Sequence, residues 1–151
     1  MERRERRNVG NVGNVGNVGN VGNVGNVGND GTSGSEMQKI ANEADVADAL
    51  AQPLAIVYKH SPICPTSGIA FEEIRSLRRL QQDVPVYFVD VIQFRPLSRY
   101  IAERLGVVHA SPQAIILRAG VPAWHGSHFD LRADTMARQL EALKEGGERS
   151  I

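Results

Sequence analysis

The chain has 151 residues, 42% hydrophobic and 23% charged, with 17 basic side chains balancing 17 acidic ones and a single cysteine. No run approaches the ~20 apolar residues of a membrane span, one cysteine excludes an internal disulfide or a zinc site of several thiolates, and balanced charge argues against indiscriminate binding to nucleic acid or anionic lipid. The charged start Met1–Arg7 leads into no apolar segment, so no secretory signal is expected and the protein reads as cytoplasmic.

Two regions of different composition follow. Asn-Val-Gly recurs seven times without a break from Asn8 to Gly28, and eight of the 15 glycines fall in residues 8–31. Glycine at every third position without proline does not hold a collagen helix, and a three-residue period is far below the ~20 residues of solenoid repeats. Residues 1–36 are therefore read as a disordered low-complexity tail and residues 37–151 as one folded domain. Met37, at the boundary, is a candidate for the true translation start.

Asn42 has the character of an N-cap, with Asp45 at the third helical position, Val46 and Leu50 on one face and Pro53 as a stop. Leu54–Tyr58 is a short apolar run running into Lys59-His60, the pattern of a strand covered on both faces. Pro65 opens a helix with Ala70, Ile74 and Leu77 on one side, and Val86–Val89 forms a second strand closed by Asp90. A helix with Pro96 in its first turn carries Leu97, Ile101 and Leu105 and ends at Gly106. Ala114–Leu117 is a third strand, turned by Ala119-Gly120 into a fourth over Val121–Ser127. A last helix bears Met136, Leu140 and Leu143 and is expected to end at Gly146-Gly147. Strands separated by a helix imply a parallel crossover, and the hairpin adds an antiparallel edge. The order fits an α/β, thioredoxin-like, four-stranded mixed sheet flanked by helices, although other small α/β folds share it.

Cys64 lies between the first strand and the helix opened by Pro65, where free backbone N–H groups and the helix dipole favour an anion. Lys59 and His60 stand close enough in sequence to add positive potential. Thiolate, not thiol, is the nucleophile, and such surroundings lower a thiol pKa. Cys64-Pro65-Thr66-Ser67 is the redox C-x-x-C spacing with serine as its second member, so any mixed disulfide must be resolved by an external thiol. Ser67 is a candidate hydrogen-bond donor to the Cys64 sulfur or a plain first-turn polar residue. In a thioredoxin-like fold Ser111-Pro112 takes the position of a cis-proline, although an X-Pro bond is trans by default. The four histidines have no ligand spacing, so no metal is expected; Trp124 reads as packing, and Arg75, Arg78 and Arg79 as a solvated helix face.

Lys59-His60-Ser61 with Cys64-Pro65 and Ser67 resembles the active-site signature of the YtxJ-type monothiol bacilliredoxins. Arg95-Pro96-Leu97-Ser98, Ile101-Ala102-Glu103, Leu105-Gly106-Val107, His109, Ser111-Pro112-Gln113 and Trp124 through His128 extend the likeness over about Val46–Leu143. The resemblance implies a thioredoxin-fold enzyme that removes bacillithiol from S-bacillithiolated proteins, with bacillithiol as co-substrate and no bound cofactor. It implies that Cys64 attacks, and that His60, Pro65, Ser111, Pro112 and His128 lie near the bound thiol or substrate. The implied partners are S-bacillithiolated proteins and free bacillithiol or a regenerating oxidoreductase. Pro62-Ile63 replaces the family's usual Thr-Arg-type pair, and Pro65-Thr66-Ser67 its Pro-Ile-Ser. Two other readings stand beside this one: a thioredoxin-like binding or chaperone module, and an arsenate-reductase-like thiol enzyme.

Overall fold

The computed structural model describes residues 37–149, with side chains placed through residue 146. The tail reading for residues 1–36, and with it the proposed start at Met37, concerns sequence outside or at the edge of the described residues. The described chain runs β1 (Gln38–Lys39), α1 (Glu43–Leu50), β2 (Leu54–His60), α2 (Pro65–Leu80), β3 (Val86–Asp90), α3 (Arg95–Leu105), β4 (Gln113–Arg118), β5 (Val121–Ser127), a 3-10 turn (His128–Asp130) and α4 (Ala133–Arg149). The sheet order is β1-β3-β2-β4-β5. β1 and β2 both run parallel to β3, and β4 is antiparallel to β2 and to β5.

The sheet has five strands where four were expected. The extra strand is two exposed residues, and Ile40 extends it by donating its N–H to the Phe88 carbonyl at 2.8 Å. Its pairing is made by backbone alone, so it leaves no hydrophobic period to read. α4 also departs from expectation: it continues through Gly146-Gly147 to Arg149. Two glycines cost a helix about 2 kcal/mol relative to alanine, which a helix already anchored by packing upstream absorbs.

The strands are sandwiched. Ile56 and Tyr58 of β2, with Ala114 and Ile116 of β4, pack against Ala70, Ile74 and Leu77 of α2 and Met136 and Leu140 of α4. Ala55 and Val57, with Ile115 and Leu117, face Val46 and Ala49 of α1 and Ile101 and Leu105 of α3. Each of these large buried side chains stabilises by roughly 1.5–3 kcal/mol relative to exposure. The period-two alternation of β2 continues past the core. It sends Lys59 toward the α3 side and His60 toward the α2 side, and that division shapes the site.

Local signals are realised as the sequence suggests. Asn42 caps α1, its side chain accepting from the Asp45 N–H at 3.0 Å. Gly106 ends α3 in the left-handed region, at φ 68°. Ala119 and Gly120 both have positive φ, as the tightest hairpin turns require. Trp124 packs half-buried against the α2–α4 core. The arginine group is corrected in one member: Arg78 is buried and donates to the Val84 carbonyl at 3.1 Å, bracing the loop before β3.

Candidate functional site

The sheet's C-terminal edge at β2 delivers the chain into a short loop, Ser61–Cys64, closed by a hydrogen bond from the Cys64 N–H to the Ser61 carbonyl at 3.1 Å. Cys64 is the N-cap of α2 and Pro65 its first helical residue. Proline has no N–H to orphan there, and its fixed φ suits the first turn. Cys64 is a free, half-exposed cysteine. The thiol is held below its ordinary range by the Thr66 hydroxyl first, then by the Thr66 backbone N–H, against some desolvation, with smaller help from the Ser67 N–H and hydroxyl. Thr66 Oγ1 lies 3.0 Å from the sulfur. A thiolate can only accept, so the hydroxyl donates.

Thr66 was not singled out from sequence. Its signal was available: a hydroxyl two residues beyond an N-capping cysteine reaches back to it, as capping chemistry does in reverse. Ser67 is 1% exposed and accepts the Ser61 N–H at 3.1 Å. It fastens the loop, and its hydroxyl is the smallest of the causes that lower the Cys64 thiol.

Neither Lys59 nor His60 adds the positive potential expected of it to the causes that lower Cys64. His60 is half-buried between Tyr58, Phe71 and Phe88, with ring centroids 5.6, 5.4 and 5.2 Å away. Burial pushes its pKa down, with Asp90 opposing, so the ring is neutral near pH 7. Tyr58 Oη lies 2.9 Å from His60 Nδ1 and donates to the Ser67 carbonyl at 3.2 Å. Burial, then the Cys64 charge, raises the Tyr58 phenol, so it stays protonated. Lys59, fully buried on the opposite face, sits 3.2 Å from His109 Nδ1. Desolvation lowers Lys59 to about 8. His109 is pushed down by burial and by the Lys59 charge.

The Ser111-Pro112 peptide is cis, and Pro112 is buried at the start of β4. Lys59 pairs with Gln113 in the β2–β4 register, so Ser111-Pro112 comes level with His60-Ser61. The Pro112 carbonyl accepts the His128 N–H at 3.1 Å, and His128 itself is exposed at φ 55°. The fold thus gathers Cys64, Pro65, Ser67, His60, Ser111, Pro112 and His128 at one end of the sheet. His128 reaches them through its backbone. Among the described residues no group of three or more His, Cys, Asp or Glu could hold a metal, and no helix is long and apolar enough to cross a membrane.

A sulfur at a helix start with the Thr66 and Ser67 donors beside it can attack a disulfide and hold a mixed disulfide. Comparison with known proteins places this geometry. The family model described as "Monothiol bacilliredoxin BrxC" matches residues 35–136. A solved structure described as a candidate oxidoreductase with a thioredoxin fold is 29% identical and superposes with a TM-score of 0.63, covering 68% of this chain and 92% of its own. A mutant thioredoxin from Halobacterium salinarum NRC-1 is 16% identical with a TM-score of 0.61, covering 74% of this chain and 94% of its own. Thioredoxin from Trypanosoma brucei brucei is 12% identical with a TM-score of 0.63, covering 78% and 98%. The fold is that of thioredoxin, with a thiol redox role.

Proposed function

The chain belongs to the monothiol bacilliredoxin family, and on that premise we propose that it removes bacillithiol from S-bacillithiolated proteins through a mixed disulfide on Cys64. The observation that carries this reading is the half-exposed Cys64 sulfur at the start of α2, its thiolate favoured by the Thr66 hydroxyl and the Thr66 and Ser67 N–H groups. The Cys64 thiolate attacks the bacillithiol sulfur of the client's mixed disulfide. A Cys64–bacillithiol S–S bond forms, the client–bacillithiol S–S bond breaks, and the client leaves as a thiolate that takes a proton from water.

The chain has no second cysteine, so the next thiolate comes from outside. Free bacillithiol or a partner oxidoreductase attacks the bacillithiol sulfur, forms a new disulfide and releases the Cys64 thiolate. No bound cofactor takes part, and the exchange belongs to a reducing cytoplasm. Ser67 serves as a positioning residue, and Pro112 and Ser111 offer backbone beside the sulfur to an extended client segment. His60, Pro65 and His128 line the approach.

The test is release of bacillithiol from an S-bacillithiolated reporter protein, followed by mass. The wild-type chain should release it and carry a bacillithiol adduct on Cys64; the Cys64→Ser chain should do neither. Full release by Cys64→Ser overturns the assignment. A thiol that reacts with iodoacetamide no faster at pH 7 than free cysteine would favour the binding or chaperone module instead.

A further inference from the structure

On the α3 side of the sulfur loop lies a cleft of about 250 Å³ whose near wall is Ser61 and Ser111 and whose far wall is α3 with His109. Ser61 closes the Cys64 loop and Ser111 precedes the cis-proline, so the cleft opens directly off the reacting end of the sheet. Arg95 and Arg99, one turn apart on α3, line it and are exposed. Neither makes an ion pair among the described residues. Behind His109 stands the buried Lys59, and none of the side chains lining the cleft is acidic.

One lining group is left incomplete. Ser98 is 3% exposed, and its hydroxyl has no hydrogen-bond partner in the described structure. An unmet buried hydroxyl costs roughly 1–3 kcal/mol, so such groups await a partner. Two guanidiniums, one imidazole and one orphan hydroxyl together form a recognition set for carboxylate oxygens, to which arginine donates in pairs. The volume admits a small acid, below the usual range of drug-sized sites.

We propose that this cleft binds a carboxylate-bearing end of the small thiol that passes through Cys64, with Arg95 and Arg99 gripping the carboxylate and Ser98 donating to it. The inference rests on the exchange reading above and deepens it: the cleft selects acidic thiols over neutral ones. A client side chain could present the same carboxylate, so the probes below carry no peptide.

The full chain is reacted with the symmetrical disulfides of mercaptosuccinate and of 2-mercaptoethanol, and the Cys64 adduct is followed by intact mass. The wild type should prefer the mercaptosuccinate disulfide, and Arg95→Gln with Arg99→Gln should lower the ratio of the two rate constants about tenfold, the scale of one charge-assisted hydrogen bond. Arg75→Gln with Arg79→Gln, the same loss of charge on α2, should leave the ratio within about twofold, which separates the cleft from general attraction. In a separate arm, S-methyl mercaptosuccinate is titrated into the Cys64→Ser chain. It should shift the Ser98 and His109 amide resonances, and the Arg95→Gln/Arg99→Gln changes should remove those shifts.

An equal ratio in the wild type and the α3 double variant, or no shift at Ser98 and His109, overturns the cleft. Failure of both disulfides to react overturns the Cys64 reading instead, and the titration still decides the cleft.

Discussion

The Ser67 hydroxyl accepts the Ser61 backbone N–H at 3.1 Å, so the serine in the place of a second thiol ties the loop that presents the first. A second thiol would have ended a mixed disulfide from within. The serine fixes the geometry and leaves resolution to another molecule. Ser67→Ala should therefore lower stability by about 1–3 kcal/mol, because it strands a buried N–H. Urea unfolding reads that loss. Exchange at Cys64 should persist at a reduced rate, and an unchanged midpoint would show that the loop is held by other bonds.

Thr66 lies in the first turn of α2 beside the sulfur, and its hydroxyl is the leading cause of the lowered Cys64 thiol. No basic side chain is among the causes that lower the thiol, so a neutral donor leads them. Thr66→Val, which keeps the shape and removes the donor, should move the thiol pKa upward and slow iodoacetamide alkylation several-fold at pH 7. At pH 10, where the thiolate dominates in both chains, the two rates should converge. Parallel rates at every pH would show that the hydroxyl does not act on the sulfur.

Lys59 is fully buried, and its ammonium titrates near 8 in the folded chain against 10.5 as its ordinary value. Below pH 8 both states are protonated and folding bears the whole cost of burying the charge. Between 8 and 10.5 the unfolded chain holds the extra proton, so this group's contribution to stability rises with pH; above 10.5 the cost is gone. Lys59→Met should accordingly be more stable than wild type at pH 7, by up to about 3 kcal/mol. The gap should close toward pH 10.5, as read by urea unfolding across that range. A gap that widens with pH would reverse the assignment. A lysine retained at this cost fits service to the cleft next to it.

Much of the architecture was legible because each element advertises itself locally. Asn42, Pro65, Gly106 and Ala119-Gly120 punctuate the chain by backbone chemistry that needs no partner. The apolar run of β2 could be read as covered on both faces because nothing in it alternates. β1 escaped because it contributes hydrogen bonds without side-chain pattern, and the end of α4 because packing overrode two glycines.

The site divides the same way. Sequence alone determined a cysteine at a helix start, without a second thiol and beside Pro65, since these are matters of order along the chain. Only the tertiary structure decided what Lys59 and His60 do. One residue of offset in a strand places them on opposite faces of the sheet, one buried 3.2 Å from His109 and the other neutral among aromatic rings. It decided as well that Arg95, Arg99 and Ser98, some 30 residues downstream of the cysteine, share a cleft with Ser61, because proximity across a fold is set by packing and leaves no trace in spacing.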